Sequence, residues 1–112
     1  QFLAFNRCMQ TGLDLAPDCR FALLLGDLVN EAENARDFET AFRVGKPYFT
    51  SMLFAPTPGN HEHNNDLTYQ NYLAHWNLPP GGPEGFEGLF YSFDYQNAHF
   101  TSINSGRQRK RN

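Results

Sequence analysis

Two short apolar runs that each end in a turn with polar side chains constrain this chain more than any other feature. Residues 21–25 lead directly into Gly26 and Asp27, and residues 52–55 lead into a Pro/Gly turn before Asn60 and His61. Apolar runs of this length, bounded by turn residues, are typical of buried strands. Ligands of open α/β sheets bind just beyond the carboxyl ends of such strands. The pattern therefore predicts one rim of a sheet that carries these polar side chains, where a metal and a phosphate would bind.

The rest of the chain completes an α/β pattern with the order α-β-α-β-α-β-β. Apolar residues at helical spacing predict three helices, over residues 2–13, about 35–50 and about 66–76. The two apolar runs predict strands, and a tight hairpin is predicted at Gln96 and Asn97, between strands 89–95 and 98–104. One strand–helix–strand crossover separates the two apolar runs, so their strands are expected to lie side by side and parallel.

Composition and charge restrict the class of partner. The 112 residues leave room for one domain at most, and 40% hydrophobic residues with eleven Phe indicate that they come from a folded protein with a core. Four of the nine basic residues lie in the tail 107–112, so residues 1–106 carry five basic against twelve acidic side chains. An acidic body disfavours nucleic acid as the main partner, because phosphate backbones are bound by Lys and Arg. The basic tail is better explained as a solvated end or a truncation artefact, and no membrane segment is expected.

The side chains that follow the two predicted strands suit chemistry at phosphorus. The Asp27 carboxylate can bridge two cations through its two oxygens, and Asn60 offers a neutral carbonyl oxygen as a further ligand. His61 can bind a phosphate oxygen or protonate a leaving oxygen, while Glu62 can orient His61 or support the ligands. Two divalent ions about 3.5–4 Å apart would hold a phosphoryl group between them. Each motif alone is also explained by an ordinary turn, and the crossover spacing is what favours a shared site.

Other candidate residues have simpler explanations. The remaining histidines, His63, His75 and His99, are better explained as exposed or packing residues than as ligands. Cys8 and Cys19 lack metal-binding spacing, so a disulfide and two free thiols are both open. The sequence therefore concentrates its functional signal in the two strand-end motifs.

Together these motifs resemble those of the calcineurin-like metallophosphoesterase superfamily. Residues 26–29 (GDLV) and 59–62 (GNHE) match its motifs, and residues 90–100 are similar to the strand pair that follows them in purple-acid-phosphatase-like members. The resemblance implies a fragment of a double β-sandwich flanked by helices. It also implies hydrolysis of a small-molecule phosphate ester by a hydroxide that two metal ions activate. By this resemblance Asp27 would bridge the metals, Asn60 would bind the second metal, and His61 would assist phosphate binding and leaving-group protonation.

The chain also departs from the family pattern, at one position within a motif and in two motifs that it lacks, and these departures restrict the predicted metal centre and activity. Purple acid phosphatases have a Tyr three residues after the Asp of Gly-Asp, where this chain has Asn30. The resemblance therefore implies a colourless centre with two divalent ions, such as Mn, Zn or Fe. The upstream Asp motif and the downstream Gly-His-x-His motif of the family are missing. Residues 1–106 are accordingly expected to form a partial catalytic domain that is inactive by itself and binds metal weakly.

A second hypothesis comes from a different functional class. A degenerate copy of the same fold, which has lost its metals, would serve as a non-catalytic scaffold and still keep both strand-end motifs. Enzymes of the resembled branch are often secreted or periplasmic, while the residues themselves indicate no compartment. Metal-dependent hydrolysis by the full-length protein is the property that separates the enzyme from the scaffold.

Overall fold

The computed structural model describes residues 2–106, so the tail 107–112 lies outside the described residues. Within them the elements are α1 (Phe2–Leu15), β1 (Phe21–Leu24), α2 (Ala35–Val44), α3 (Lys46–Phe49), β2 (Leu53–Pro56), α4 (Gln70–His75), β3 (Phe90–Tyr95) and β4 (Ala98–Ile103). This order, α-β-α-α-β-α-β-β, confirms the predicted α/β class and contains one more helix than expected. In this part of the chain, no helix combines the length and the apolar character needed to cross a membrane.

The strands form two separate two-stranded sheets. β1 and β2 pair in parallel, with Phe21 opposite Leu53, as the crossover between them predicts. β3 and β4 pair antiparallel, with Tyr95 opposite Ala98 at the turn. Gln96 begins this turn with a left-handed backbone, φ 53°, which the favoured two-residue hairpin turns require. Both predicted strand pairings are therefore confirmed.

The parallel sheet lies between the helices and the hairpin. On one face the Phe54 ring lies 6.4 Å from the Phe5 ring of α1 and 4.7 Å from the Phe49 ring of α3, between centroids. On the opposite face the Phe21 ring packs at 5.2–5.7 Å against three aromatic rings of the hairpin, those of Phe93, Tyr95 and Phe100. Successive strand residues point to opposite faces, so one short strand pair contacts both layers. Aromatic contacts of this kind contribute about 0.5–1.5 kcal/mol each beyond burial.

Buried apolar side chains of the helices and the loops around them pack into one cluster. They come from the loop after β1, from α2, from α4 and the turn before it, and from the approach to β3: Val29, Phe38, Ala41, Tyr69, Tyr72 and Leu89. Asn34 caps the start of α2, because its side chain accepts a hydrogen bond from the Arg36 backbone N–H. This core fixes the helices against the loop that leads away from β1.

The predicted helix over about 35–50 is interrupted, and the predicted helix over about 66–76 is shorter. Gly45 ends α2 by donating its N–H to the Ala41 carbonyl at 2.8 Å, and α3 starts at the next residue. Pro47 lies in the first turn of α3, where its missing N–H costs no helical hydrogen bond. α4 begins only after Tyr69, because the left-handed backbone of Tyr69 (φ 55°) is incompatible with a continuous right-handed helix.

Candidate functional site

The loops that follow β1 and β2 approach each other so closely that both require glycine. A side-chain carbon on Gly26, whose φ is +86°, would lie 2.4 Å from the backbone nitrogen of Gly59. A side-chain carbon on Gly59 would lie 2.2 Å from the Asp27 Oδ1 atom. Neither contact is sterically allowed for another residue without movement of the loops. The glycines that precede Asp27 and Asn60 are therefore what allow the two motifs to meet.

The structure brings the three predicted site residues together. The backbone N–H of His61 donates to Asp27 Oδ1 at 3.0 Å, across the gap between the two loops. Asp27 is exposed and has a left-handed backbone with φ 56°, which is uncommon for a residue other than glycine. Asn60 is exposed between Gly59 and His61. Their roles in metal binding and catalysis stay predictions.

The His61 ring is oriented by a backbone carbonyl. Its Nδ1 atom lies 2.9 Å from the Asn30 carbonyl oxygen. A carbonyl only accepts hydrogen bonds, so Nδ1 carries the proton and Nε2 is the atom that can gain or lose one. The Asn30 carbonyl raises the pKa of His61 above its ordinary value of 6.5. Desolvation opposes this shift, and the negative charges of Asp27, Glu62 and Glu31 add to it.

Glu62 lies beneath the exposed residues and contacts the backbone of both loops. Its side chain is only 2% exposed. Oε2 accepts hydrogen bonds from the backbone N–H groups of Asp27 and Gly59, both at 2.7 Å. Oε1 accepts from Leu28 at 2.7 Å and from Val29 at 3.3 Å. The carboxylate is therefore directed at backbone donors. Of the two roles predicted for it from the sequence, the contact with the His61 ring is made by the Asn30 carbonyl instead, whereas support of a predicted ligand agrees with the hydrogen bond to the Asp27 N–H.

A backbone carbonyl at the end of β2 anchors the second loop. The Tyr72 hydroxyl of α4 and the Tyr91 hydroxyl of β3 donate to the Pro56 carbonyl oxygen, at 3.2 and 2.7 Å. One residue further on, the hydroxyls of Thr57 and Ser102 are hydrogen bonded at 2.7 Å. The residue pattern predicted neither these anchors nor the Asn30 carbonyl contact. Nothing in a residue pattern distinguishes one main-chain carbonyl from another, so no sequence signal would have identified them.

The described residues do not by themselves complete a centre for two metal ions. Across residues 2–106, no three His, Cys, Asp or Glu side chains lie close enough to hold one ion. Asp27 and Asn60 supply one carboxylate and one amide, and Asp27 Oδ1 already accepts the His61 N–H. Hard divalent cations take several oxygen ligands, about six to eight for Ca²⁺. Cys8 and Cys19 are free, exposed thiols.

The other histidines lie in contacts that need no ligand. The His63 ring is 5.6 Å from the Tyr69 ring, and the His75 ring stacks on the Phe38 ring at 4.9 Å. The His99 Nδ1 atom lies 2.6 Å from a carboxylate oxygen of the neighbouring strand, at the exposed surface of the hairpin. These contacts agree with their interpretation as packing or surface residues.

Comparison with curated proteins shows partial similarity to an acid phosphatase. Acid phosphatase type 7 of Homo sapiens and of Mus musculus, a purple acid phosphatase family member, is 32% identical to this chain over 75 residues. The similarity covers 67% of this chain and 16% of each relative, so the chain matches only a small part of those proteins. No family profile matches the chain. No solved structure matches it either.

Proposed function

We propose that this chain is part of a metal-dependent phosphoesterase of the purple-acid-phosphatase-like branch of the calcineurin-like metallophosphoesterases. The observation that carries the proposal is the hydrogen bond of 3.0 Å from the His61 N–H to Asp27 Oδ1. It joins the ends of two parallel strands, where α/β folds bind ligands. The partial similarity to acid phosphatase type 7 supports the same reaction class. The proposed substrate is a small-molecule phosphate ester.

Asp27 and Asn60 are the residues of this chain that would contact the metals. They offer a carboxylate and an amide oxygen, which suit divalent ions such as Mn, Zn or Fe. Divalent ions bound there would polarise the phosphoryl group and lower the pKa of a bound water. Because residues 2–106 provide no group of three acidic, histidine or cysteine ligands, further ligands would have to come from outside them.

His61 is the residue that would hold and transfer a proton. The Asn30 carbonyl retains the Nδ1 proton, so Nε2 carries the exchangeable one. In the protonated ring, Nε2–H donates a hydrogen bond to a phosphoryl oxygen, or it transfers its proton to the ester oxygen as the P–O bond breaks. The raised pKa of His61, caused first by the Asn30 carbonyl, favours this protonated form.

Hydrolysis of p-nitrophenyl phosphate and bis-p-nitrophenyl phosphate by the full-length native protein tests the proposal. The assays contain Mn²⁺, Zn²⁺ or Fe²⁺. We expect His61→Ala to lower kcat/KM by about 100-fold or more, the usual scale for loss of a positioned acid–base group. Asp27→Asn, which removes the charge of the proposed metal ligand, should also lower kcat/KM. The matched controls are Asp94→Asn and His99→Ala, which make the same changes at an exposed pair in the hairpin. These controls should retain wild-type activity.

A full-length protein without phosphoesterase activity would favour the non-catalytic scaffold. A full-length protein that hydrolyses neither substrate with any of the three metals would contradict the phosphoesterase proposal. Equal losses in the site variants and in the hairpin controls would show that the changes act on folding rather than on the site.

A further inference from the structure

We propose that Glu62 is a positioning residue whose buried carboxylate couples the loop after β1 to the loop after β2. It thereby fixes the position of Asp27 relative to His61. The inference rests on the proposed function, because that function gives the positions of Asp27 and His61 their purpose. The hydrogen bonds that couple the two loops are a property of the fold alone. Glu62 contacts neither substrate nor metal in this proposal. It acts through the backbone of the two loops.

The hydrogen bonds of Glu62 require two acceptor oxygens. Oε2 accepts one N–H from each loop, those of Asp27 and Gly59, both at 2.7 Å. Oε1 accepts two further N–H groups of the first loop, at 2.7 and 3.3 Å. A glutamine has one acceptor oxygen, and its amino group would direct hydrogens at N–H donors. The arrangement is therefore specific for a carboxylate.

The first loop is an anion-binding nest that the chain fills with its own side chain. Three successive N–H groups, of Asp27, Leu28 and Val29, point at the Glu62 carboxylate. Successive backbone N–H groups next to a left-handed residue form concavities that bind anions, and Asp27 has φ 56°. Because Glu62 fills the nest, an anionic substrate does not enter it. The same hydrogen bonds hold Asp27 in its left-handed conformation.

The distance between the loops depends on this shared acceptor. The His61 N–H to Asp27 Oδ1 hydrogen bond spans the same gap at 3.0 Å. The two loops are closely packed here, since even a side-chain carbon on Gly59 would lie 2.2 Å from Asp27 Oδ1. Without Glu62, the backbone N–H groups that face it would lose this acceptor, which is unfavourable for groups that are partly or fully buried. We expect the loops to separate and the Asp27 carboxylate to leave its position beside His61.

The test compares Glu62→Gln, Glu62→Asp and Glu62→Ala in the full-length native protein, with Glu39→Gln as the same change at an exposed position of α2. We expect Glu62→Gln to lower both kcat for p-nitrophenyl phosphate and metal affinity by about 10–100-fold, the scale for residues that orient ligands. KM should change little. Added formate should fill the vacated nest of Glu62→Ala and restore part of kcat, but should not help Glu62→Gln, whose side chain still occupies the space. Glu39→Gln should match wild type.

Amide hydrogen exchange of the metal-free protein provides a measurement that does not depend on hydrolysis. The Asp27, Leu28 and Gly59 amides should exchange slowly in wild type, faster in Glu62→Gln, and slowly again in Glu62→Ala with formate. Unchanged exchange or unchanged kcat in Glu62→Gln would overturn the inference. Partial activity of Glu62→Asp, or rescue by formate, identifies positioning rather than a general loss of folding. A wild-type protein that is inactive with every metal overturns the proposed function alone, and the exchange rates then decide the coupling.

Discussion

At the scale of single residues, the site depends on the absence of side chains as much as on their presence. Gly26 and Gly59 allow two backbones to approach within a distance that any side-chain carbon would fill. Asp27 has a left-handed backbone, which is sterically unfavourable for a residue with a side chain. Strained residues of this kind persist where the surrounding contacts determine them. Here those contacts come from the Glu62 carboxylate.

Gly59→Ala should destabilise the protein and displace the Asp27 carboxylate. The added carbon would lie 2.2 Å from Asp27 Oδ1 and 2.6 Å from its backbone nitrogen. Overpacking of this kind costs about 1–3 kcal/mol. The measurement is the free energy of unfolding in urea, together with kcat for p-nitrophenyl phosphate.

Gly12→Ala is the matched control for this substitution. Gly12 lies within α1, and a side-chain carbon there would meet no atom within 4 Å. Alanine at a helix interior position should stabilise the protein by about 0.5–1 kcal/mol. A Gly59→Ala protein as stable as wild type would show that the two loops have room that the structure does not indicate.

At the scale of secondary structure elements, α4 and the hairpin hold the end of β2 through one carbonyl. The Tyr72 hydroxyl and the Tyr91 hydroxyl both donate to the Pro56 oxygen. Both side chains are buried, with 1% and 4% of their surface exposed. A helix and a strand from separate layers are thereby joined at the start of the loop that carries Asn60 and His61. The position of the site therefore depends on elements that contribute no site residue.

The stability of the protein should fall as the pH rises above about 10 because of these two tyrosines. Burial raises the pKa of Tyr72 and the pKa of Tyr91 above the ordinary value of 10. In the unfolded chain both ionise near pH 10. The unfolded state therefore loses protons first, and the stabilisation that is complete below pH 10 is lost as the pH rises toward the folded-state pKa values.

The measurement is the urea midpoint of the full-length metal-free protein between pH 7 and pH 12. Tyr72→Phe and Tyr91→Phe should each reduce the loss of stability above pH 10, because neither variant can ionise at that position. At pH 7 each variant should lose about 0.5–1.5 kcal/mol through the missing hydrogen bond. An alkaline slope that the double variant leaves unchanged would assign the pH dependence to other groups.

At the scale of the whole molecule, two-stranded sheets leave apolar surface uncovered. Leu25 is 83% exposed, Leu53 77% and Ile103 62%. Large apolar side chains exposed to this extent favour association between molecules.

The isolated 112-residue chain should therefore self-associate at micromolar concentration. Sedimentation velocity should show species larger than the 12.8 kDa monomer. Leu25→Ser combined with Leu53→Ser should shift the distribution toward monomer, because both side chains are exposed at the parallel sheet. The control is Thr50→Ser, a substitution at an exposed position that leaves Leu25 and Leu53 unchanged. A wild-type chain that stays monomeric and unfolds in a single cooperative transition would contradict this prediction.

The α/β class, the parallel pairing of the two motif strands and the hairpin followed from local pattern. Apolar runs of strand length and the crossover between them indicate which segments pair side by side, so they also placed Asp27, Asn60 and His61 at one rim. The tertiary structure alone decided the contacts of Glu62 and the orientation of the His61 ring, because both depend on main-chain atoms that every residue carries. The break at Gly45 likewise depends on where the chain must turn to return to the sheet. Patterns of side chains predict the layers of a fold, whereas hydrogen bonds to its backbone appear only once the segments have met.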